Sequence, residues 1–109
     1  MSAAHKIDVA KEFSDIPFGR DERDGKYNGE RFRKEVLLPA LKDHEFIVVD
    51  FNGTMGCGSS FGDESFAGLI IYEGFSKEEV LRRIKYEYKY QSVVKNILKY
   101  IDEAKPRTA

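Results

Sequence analysis

The chain has 109 residues, 41% hydrophobic and 13% aromatic, which is one domain's length with enough apolar material for an ordered core. Its 18 basic and 19 acidic residues leave a net charge of -1, which excludes broad electrostatic attraction to nucleic acid or to an anionic membrane. A single cysteine, Cys57, excludes an internal disulfide and the multi-cysteine zinc frameworks. No signal-peptide pattern opens the chain and no apolar run approaches the ~20 residues of a membrane span, so a soluble cytoplasmic protein is expected.

The first element expected is a short strand from about Lys6 to Phe13, where Ile7 and Val9 alternate with Asp8 and Ala10. Ser14 to Asn28 is rich in turn formers, among them Pro17, Gly19 and Asp24-Gly25, and the last pair suits the tight turn of a hairpin. A helix should start at Asn28 or Gly29, with Phe32, Val36, Leu37, Ala40 and Leu41 on its apolar face, and should kink or restart at Pro39. Arg33 falls inside that apolar sector. An arginine there either snorkels to the edge or meets a carboxylate, with Asp50 or the loop from Arg20 to Gly25 as the expected partner.

The stretch from Phe46 to Leu69 organises the chain. It reads as a buried strand (Phe46, Ile47, Val48, Val49) central in its sheet, a carboxylate at the strand's end (Asp50), and a glycine-rich loop with Gly53, Gly56 and Gly58. Two serines and an apolar helix from about Gly62 to Glu73 follow. The helix is apolar on more than one side, with Phe66, Leu69 and Ile70 on one face and Ala67 and Ile71 on another, so it is either deeply buried or presents a contact surface. Gly74 should terminate it. Ser76 to Glu79 is a capping box that opens a short helix. From Ile84 to Tyr90 the period changes to two, which favours a strand over a continued helix. A final helix is expected behind Ser92 as cap, with Val94, Ile97, Leu98, Ile101 and Ala104 on one face, stopped by Pro106; a frayed tail begins after about residue 105. The alternation points to a single α/β domain over residues 1–109, a small sheet of about four strands with helices packed on it.

Two motifs stand in order along the first seventy residues. One is P.GR...DG...GE.FR, carried by Pro17, Gly19, Arg20, Asp24, Gly25, Gly29, Glu30, Phe32 and Arg33. The other is GSSF..E.F.GL, carried by Gly58 to Phe61, Glu64, Phe66, Gly68 and Leu69. The chain resembles STAS domains, the fold of bacterial anti-sigma-factor antagonists, and more closely a STAS-like family of unknown function. That resemblance implies a regulatory, protein-interacting role and a partner kinase of the histidine-kinase-like ATPase fold. It also implies that Ser60, with Ser59 as its neighbour, stands where such antagonists are phosphorylated, although Gly58 and Phe61 replace the aspartate and glycine that flank that serine.

Each candidate has a plainer reading beside it. Ser60 is either a phosphorylation site or the N-cap of the helix. Gly56, Gly58, Ser59 and Ser60, with Arg20 and Arg33 as cations and Asp50 and Asp24 as polar support, form either an anion or nucleotide site or simply a tight loop. Phe61, Ala67 and Ile71 are the candidate partner surface. The carboxylates Asp50, Asp63, Glu64, Asp21 and Asp24 match no metal-binding spacing, and neither His5 nor His44 is spaced to form a catalytic pair with Cys57. No cofactor, no metal and no complete catalytic set is therefore expected.

Overall fold

The computed structural model describes residues 4–107. The chain opens with β1 (His5–Asp8), which passes directly into a single helical turn, α1 (Val9–Glu12). The first strand is therefore half as long as its alternation suggests. Asp8 ends it: the carboxylate accepts from the Lys11 N–H at 3.3 Å, while the Asp8 N–H donates to Glu12 at 2.7 Å, closing a local cap.

Residues 13–28 form a loop folded back on itself, in which Phe18 N–H donates to the Tyr27 carbonyl and Gly29 N–H to the Gly19 carbonyl. Asp24-Gly25 closes no hairpin. The Asp24 carboxylate folds back within the loop to accept the Arg20 N–H at 2.9 Å, and no strand flanks it. The sheet consequently has three strands among the described residues, not about four.

Helix α2 covers 29–43 in three stretches, Gly29–Phe32, Arg33–Leu37 with π pitch, and Leu38–Asp43. It starts where expected, with the Asn28 side chain accepting the Arg31 N–H at 2.9 Å. Pro39 stands at the start of the third stretch, where α pitch resumes. Its missing N–H would leave the Glu35 carbonyl without a donor, and the helix widens just before it, with Leu38 N–H bonded to the Arg33 carbonyl. Phe32, Leu37 and Leu41 are buried on the expected face.

Strand β2 (Ile47–Asp50) is the middle strand, parallel to β1 and to β3 (Ile84–Glu87). The register aligns Ile7, Val49 and Tyr86 in one row and Asp8, Asp50 and Glu87 in the next. Ile47 and Val49 are buried, but Val48 is only half-buried and Phe46 is exposed. The continuous apolar run suggests burial on both faces; the structure packs only one. Ile7, Ile47, Val49 and Ile84 meet the helices there, whereas Lys6 spans the other face to Glu87 at 2.8 Å and Asp50 at 3.5 Å.

Helix α3 covers 59–71 as Ser59–Gly62, Asp63–Ala67 with π pitch, and Gly68–Ile71. It is buried nearly all round, with Phe61, Phe66, Ala67, Leu69 and Ile70 in the core. Its end is set by Gly74 at φ +83°, where Phe75 N–H reaches the Leu69 carbonyl. Helix α4 (Lys77–Arg83) is capped by Ser76, whose hydroxyl accepts the Glu79 N–H at 3.1 Å, and the change to strand period at Ile84 is observed. Helix α5 (Gln91–Glu103) begins one residue before Ser92, which is therefore not its cap, and Leu98 on its expected inner face is exposed. Ile97 and Ile101 are the side chains it buries, Ile97 against Gly62 of α3. Near the C-terminal end Arg107 N–H donates to the Ile71 carbonyl at 2.9 Å, and residues 108 and 109 of the expected tail lie outside the described residues. No helix among the described residues is long and apolar enough to cross a membrane.

Candidate functional site

All three strands point their C-terminal ends to one side of the molecule, where parallel sheets place their binding loops. After β2 the chain turns sharply. Asp50 accepts the Asn52 N–H at 2.8 Å, the buried Thr54 hydroxyl donates to the Phe51 carbonyl at 2.7 Å, and Gly53 sits at φ +100°. Met55 N–H then donates to the Asp15 carbonyl at 2.7 Å, joining this loop to the 13–28 loop. The two loops and the start of α3 enclose a cleft of about 250 Å³ lined by Phe18, Gly19, Asp24, Gly58, Ser59 and Ser60.

The N-cap of α3 is Gly58, in extended conformation at φ -66° and ψ 151°, and no side chain caps the first turn. The expected cap at Ser60 is thus displaced by two residues. Ser60 is already helical and half-buried, and Ser59 before it is exposed. The reason lies in Gly58, whose extended conformation lets the helix begin immediately, with Gly62 N–H bonded to the Gly58 carbonyl.

Of the proposed anion set, the structure gathers Gly58, Ser59, Ser60 and Asp24 in the cleft but not the cations. Arg20 pairs with Asp63 at 3.0 Å and lies 3.9 Å from Glu64. Asp50 faces Lys6 on the open side of the sheet, and Gly56 is not among the cleft's lining residues. Phe61 and Ala67, expected on a partner surface, are core residues, and Ile71 is half-buried. The helix's all-round apolarity signals deep burial, because α2, α5 and the sheet enclose it. Burial pushes the Cys57 thiol up to about 12.

Arg33 is only 2% exposed, so it does not snorkel, and its carboxylates are neither Asp50 nor the 20–25 loop. Nε donates to Glu73 at 2.9 Å, and Nη1 donates both to the Glu64 carboxylate and to the Glu64 backbone carbonyl at 2.7 Å each. The backbone contact falls within the π stretch of α3. Gly68 opens the space: a Cβ there would stand 2.3 Å from Nη1. The helices also approach closely at Gly29, where a Cβ would meet the Phe61 carbonyl at 2.8 Å. Glu73, Gly68 and Tyr72 were not legible as parts of one site. The available signal was a glycine inside an apolar helix, which marks close approach of something bulky.

The two sequence motifs therefore meet in space. Gly29 and Arg33 of the first lie against Phe61, Glu64 and Gly68 of the second. The sequence profile of a STAS-like domain of unknown function (DUF4325) matches residues 28–88, more than half of the chain and both partners of this junction. The chain belongs to this STAS-like family. No curated protein and no solved structure matches it. In this STAS-like domain the arginine junction ties α2 to α3, and so holds the start of α3 against the serine cleft.

Proposed function

We propose that this STAS-like domain is a cytoplasmic protein-interaction module that offers the first turn of α3, with the loops beside it, to a regulatory partner. The observation that carries the reading is the exposure of large apolar side chains around Ser59. Met55 is 78% exposed, Phe18 59% and Ile16 57%. Phe18 lines the cleft with Ser59, and the Met55 backbone is bonded to Asp15, next to Ile16. Exposed apolar groups gathered at a sheet's C-terminal end are the expected composition of a docking surface.

The likeness to anti-sigma-factor antagonists supports a kinase of the histidine-kinase-like ATPase fold as partner. Ser59 is the better phosphoryl acceptor of the two serines, being the exposed one. A phosphoryl group there adds about two negative charges at a helix start, favourable to the helix but hard to desolvate in an apolar interface. Modification would thus release the partner rather than unfold the domain. A ligand-binding reading has less support, because both arginines are engaged by carboxylates and Asp24 lines the cleft.

The test is paired affinity capture from the native host with the wild-type domain, Phe18→Glu, Met55→Glu and the remote Lys34→Glu, with phosphopeptide mapping of the endogenous protein. A protein held by wild type and Lys34→Glu, but lost by the other two, together with phosphate on Ser59, supports the proposal. Identical capture by all four overturns the docking surface.

A further inference from the structure

Arg20 bridges the 13–28 loop and helix α3. Its Nη2 lies 3.0 Å from the Asp63 carboxylate and its Nη1 3.9 Å from Glu64. Both ends of the nearer contact face water: the Arg20 side chain is 47% exposed and that of Asp63 30%. Glu64 has the closer guanidinium of Arg33 at 2.7 Å, so the departure of Arg20 strands no buried acid. An exposed pair of this kind contributes little to stability and exchanges readily. Arg33, by contrast, is buried between two carboxylates and is not available.

Asp63 occupies the helical turn directly after Ser59. Its N–H donates to the Ser59 carbonyl, which places the two residues on one face of α3 with about 6 Å between their Cβ atoms. The Cα–Cβ bond of Asp63 tilts toward the helix start, as in every α-turn, so the carboxylate that holds Arg20 leans toward Ser59. Ser59 is exposed, and none of the residues lining its cleft is a cation. Asp24, whose carboxylate accepts the Arg20 N–H at 2.9 Å, adds a negative charge there.

We infer that Arg20 is a switch side chain for phosphorylation: Asp63 holds it in the unmodified domain, and it transfers to the phosphoryl group when Ser59 is modified, a role that rests on the reading of Ser59 as the phosphoryl acceptor. In that modification the Ser59 oxygen bonds to the γ-phosphorus of a nucleoside triphosphate. The bond from that phosphorus to the bridging oxygen breaks, the diphosphate leaves, and the hydroxyl proton is released. The product carries about two negative charges and three acceptor oxygens against the single charge of Asp63, and a guanidinium pairs with it through two parallel hydrogen bonds. Tethering acts in the same direction. A free anion must displace Asp63 from solution, whereas this one is presented a single helical turn away. Arg20 belongs to the loop that carries Ile16 and Phe18, so its transfer links the chemistry at Ser59 to the apolar side chains of the proposed docking surface.

The experiment installs phosphoserine at Ser59 of the full chain during translation and follows its phosphorus NMR signal through a pH titration. The otherwise wild-type chain is compared with Arg20→Gln, Arg20→Lys and Arg23→Gln, with melting curves to establish that each is folded. A phosphoserine titrates near pH ~6, and a paired guanidinium stabilises the dianion and lowers that midpoint. Arg20→Gln should raise the midpoint by about 0.3–0.7 pH units, the worth of one exposed ion pair. Arg20→Lys should raise it less, since it keeps the charge and loses only the planar fork. Arg23→Gln removes an equal charge from the same loop, but one that Asp21 holds at 2.8 Å, and should leave the midpoint unchanged. A rise below about 0.3 units in Arg20→Gln, or an equal rise in Arg23→Gln, overturns the inference. The installed phosphoserine needs no kinase, so the absence of phosphate on the endogenous Ser59 counts against the functional reading alone and not against the arginine transfer.

Discussion

Replacing Arg33 by methionine tests the junction most directly. The side chain is 2% exposed and makes three charge-assisted hydrogen bonds of 2.7 to 2.9 Å, two of them to carboxylates. Methionine keeps much of the volume but strands Glu64 and Glu73, whose side chains are 13% and 21% exposed. Breaking a buried pair in this way costs about 3–5 kcal/mol. The partial solvation of both acids places the loss at the lower end, about 3 kcal/mol. For a domain of this length that lowers the melting temperature by roughly 12–24 °C. Circular dichroism melts of wild type, Arg33→Met and the triple variant Arg33→Met/Glu64→Gln/Glu73→Gln measure it. The triple variant should recover most of the loss, because no uncompensated charge remains. A single variant melting within about 4 °C of wild type, a loss of about 1 kcal/mol or less, would refute the reasoning.

Gly68→Ala forces a Cβ to within 2.3 Å of Nη1 and should cost at least about 1–3 kcal/mol in denaturant unfolding; on the Arg33→Met background most of that cost should vanish, a coupling that a double-mutant cycle reads directly. Ser60→Ala should cost less than about 0.5 kcal/mol, because the residue is not the cap of α3; a loss near 1 kcal/mol would restore it to that role. Cys57, its thiol pushed up to about 12 by burial, should react with a thiol reagent at pH 8 far more slowly in the folded than in the unfolded chain. With a raised native value, the thiol's contribution is intact below the ordinary value near 9 and declines as pH rises from there toward 12, so wild type should lose more stability between pH 8.5 and 10.5 than Cys57→Ala does.

What the sequence determined by itself is the set of features decided within a few residues. Asn28 and Ser76 cap their helices, Gly74 ends α3 by adopting a positive φ, and the change from helical to strand period locates the boundary between α4 and β3 at Ile84. Each depends on backbone groups no more than six residues apart, so the local pattern carries the answer. The central place of β2 was legible too, from its apolar run, and so was the family, from two motifs in order. The tertiary structure alone decided what those motifs do. Arg33 lies 31 and 40 residues from the carboxylates that hold it, and nothing in its own helix distinguishes them from Asp50 or from the loop acids. Whether the apolar sides of α3 met a partner or the core, and whether Ser59 or Ser60 faced water, depended on how two wide turns and two glycines let the helices approach. The physical reason is common to all of these. A cap is an equilibrium between neighbours in the chain, whereas burial and ion pairing are set by which distant surfaces the folded chain brings together.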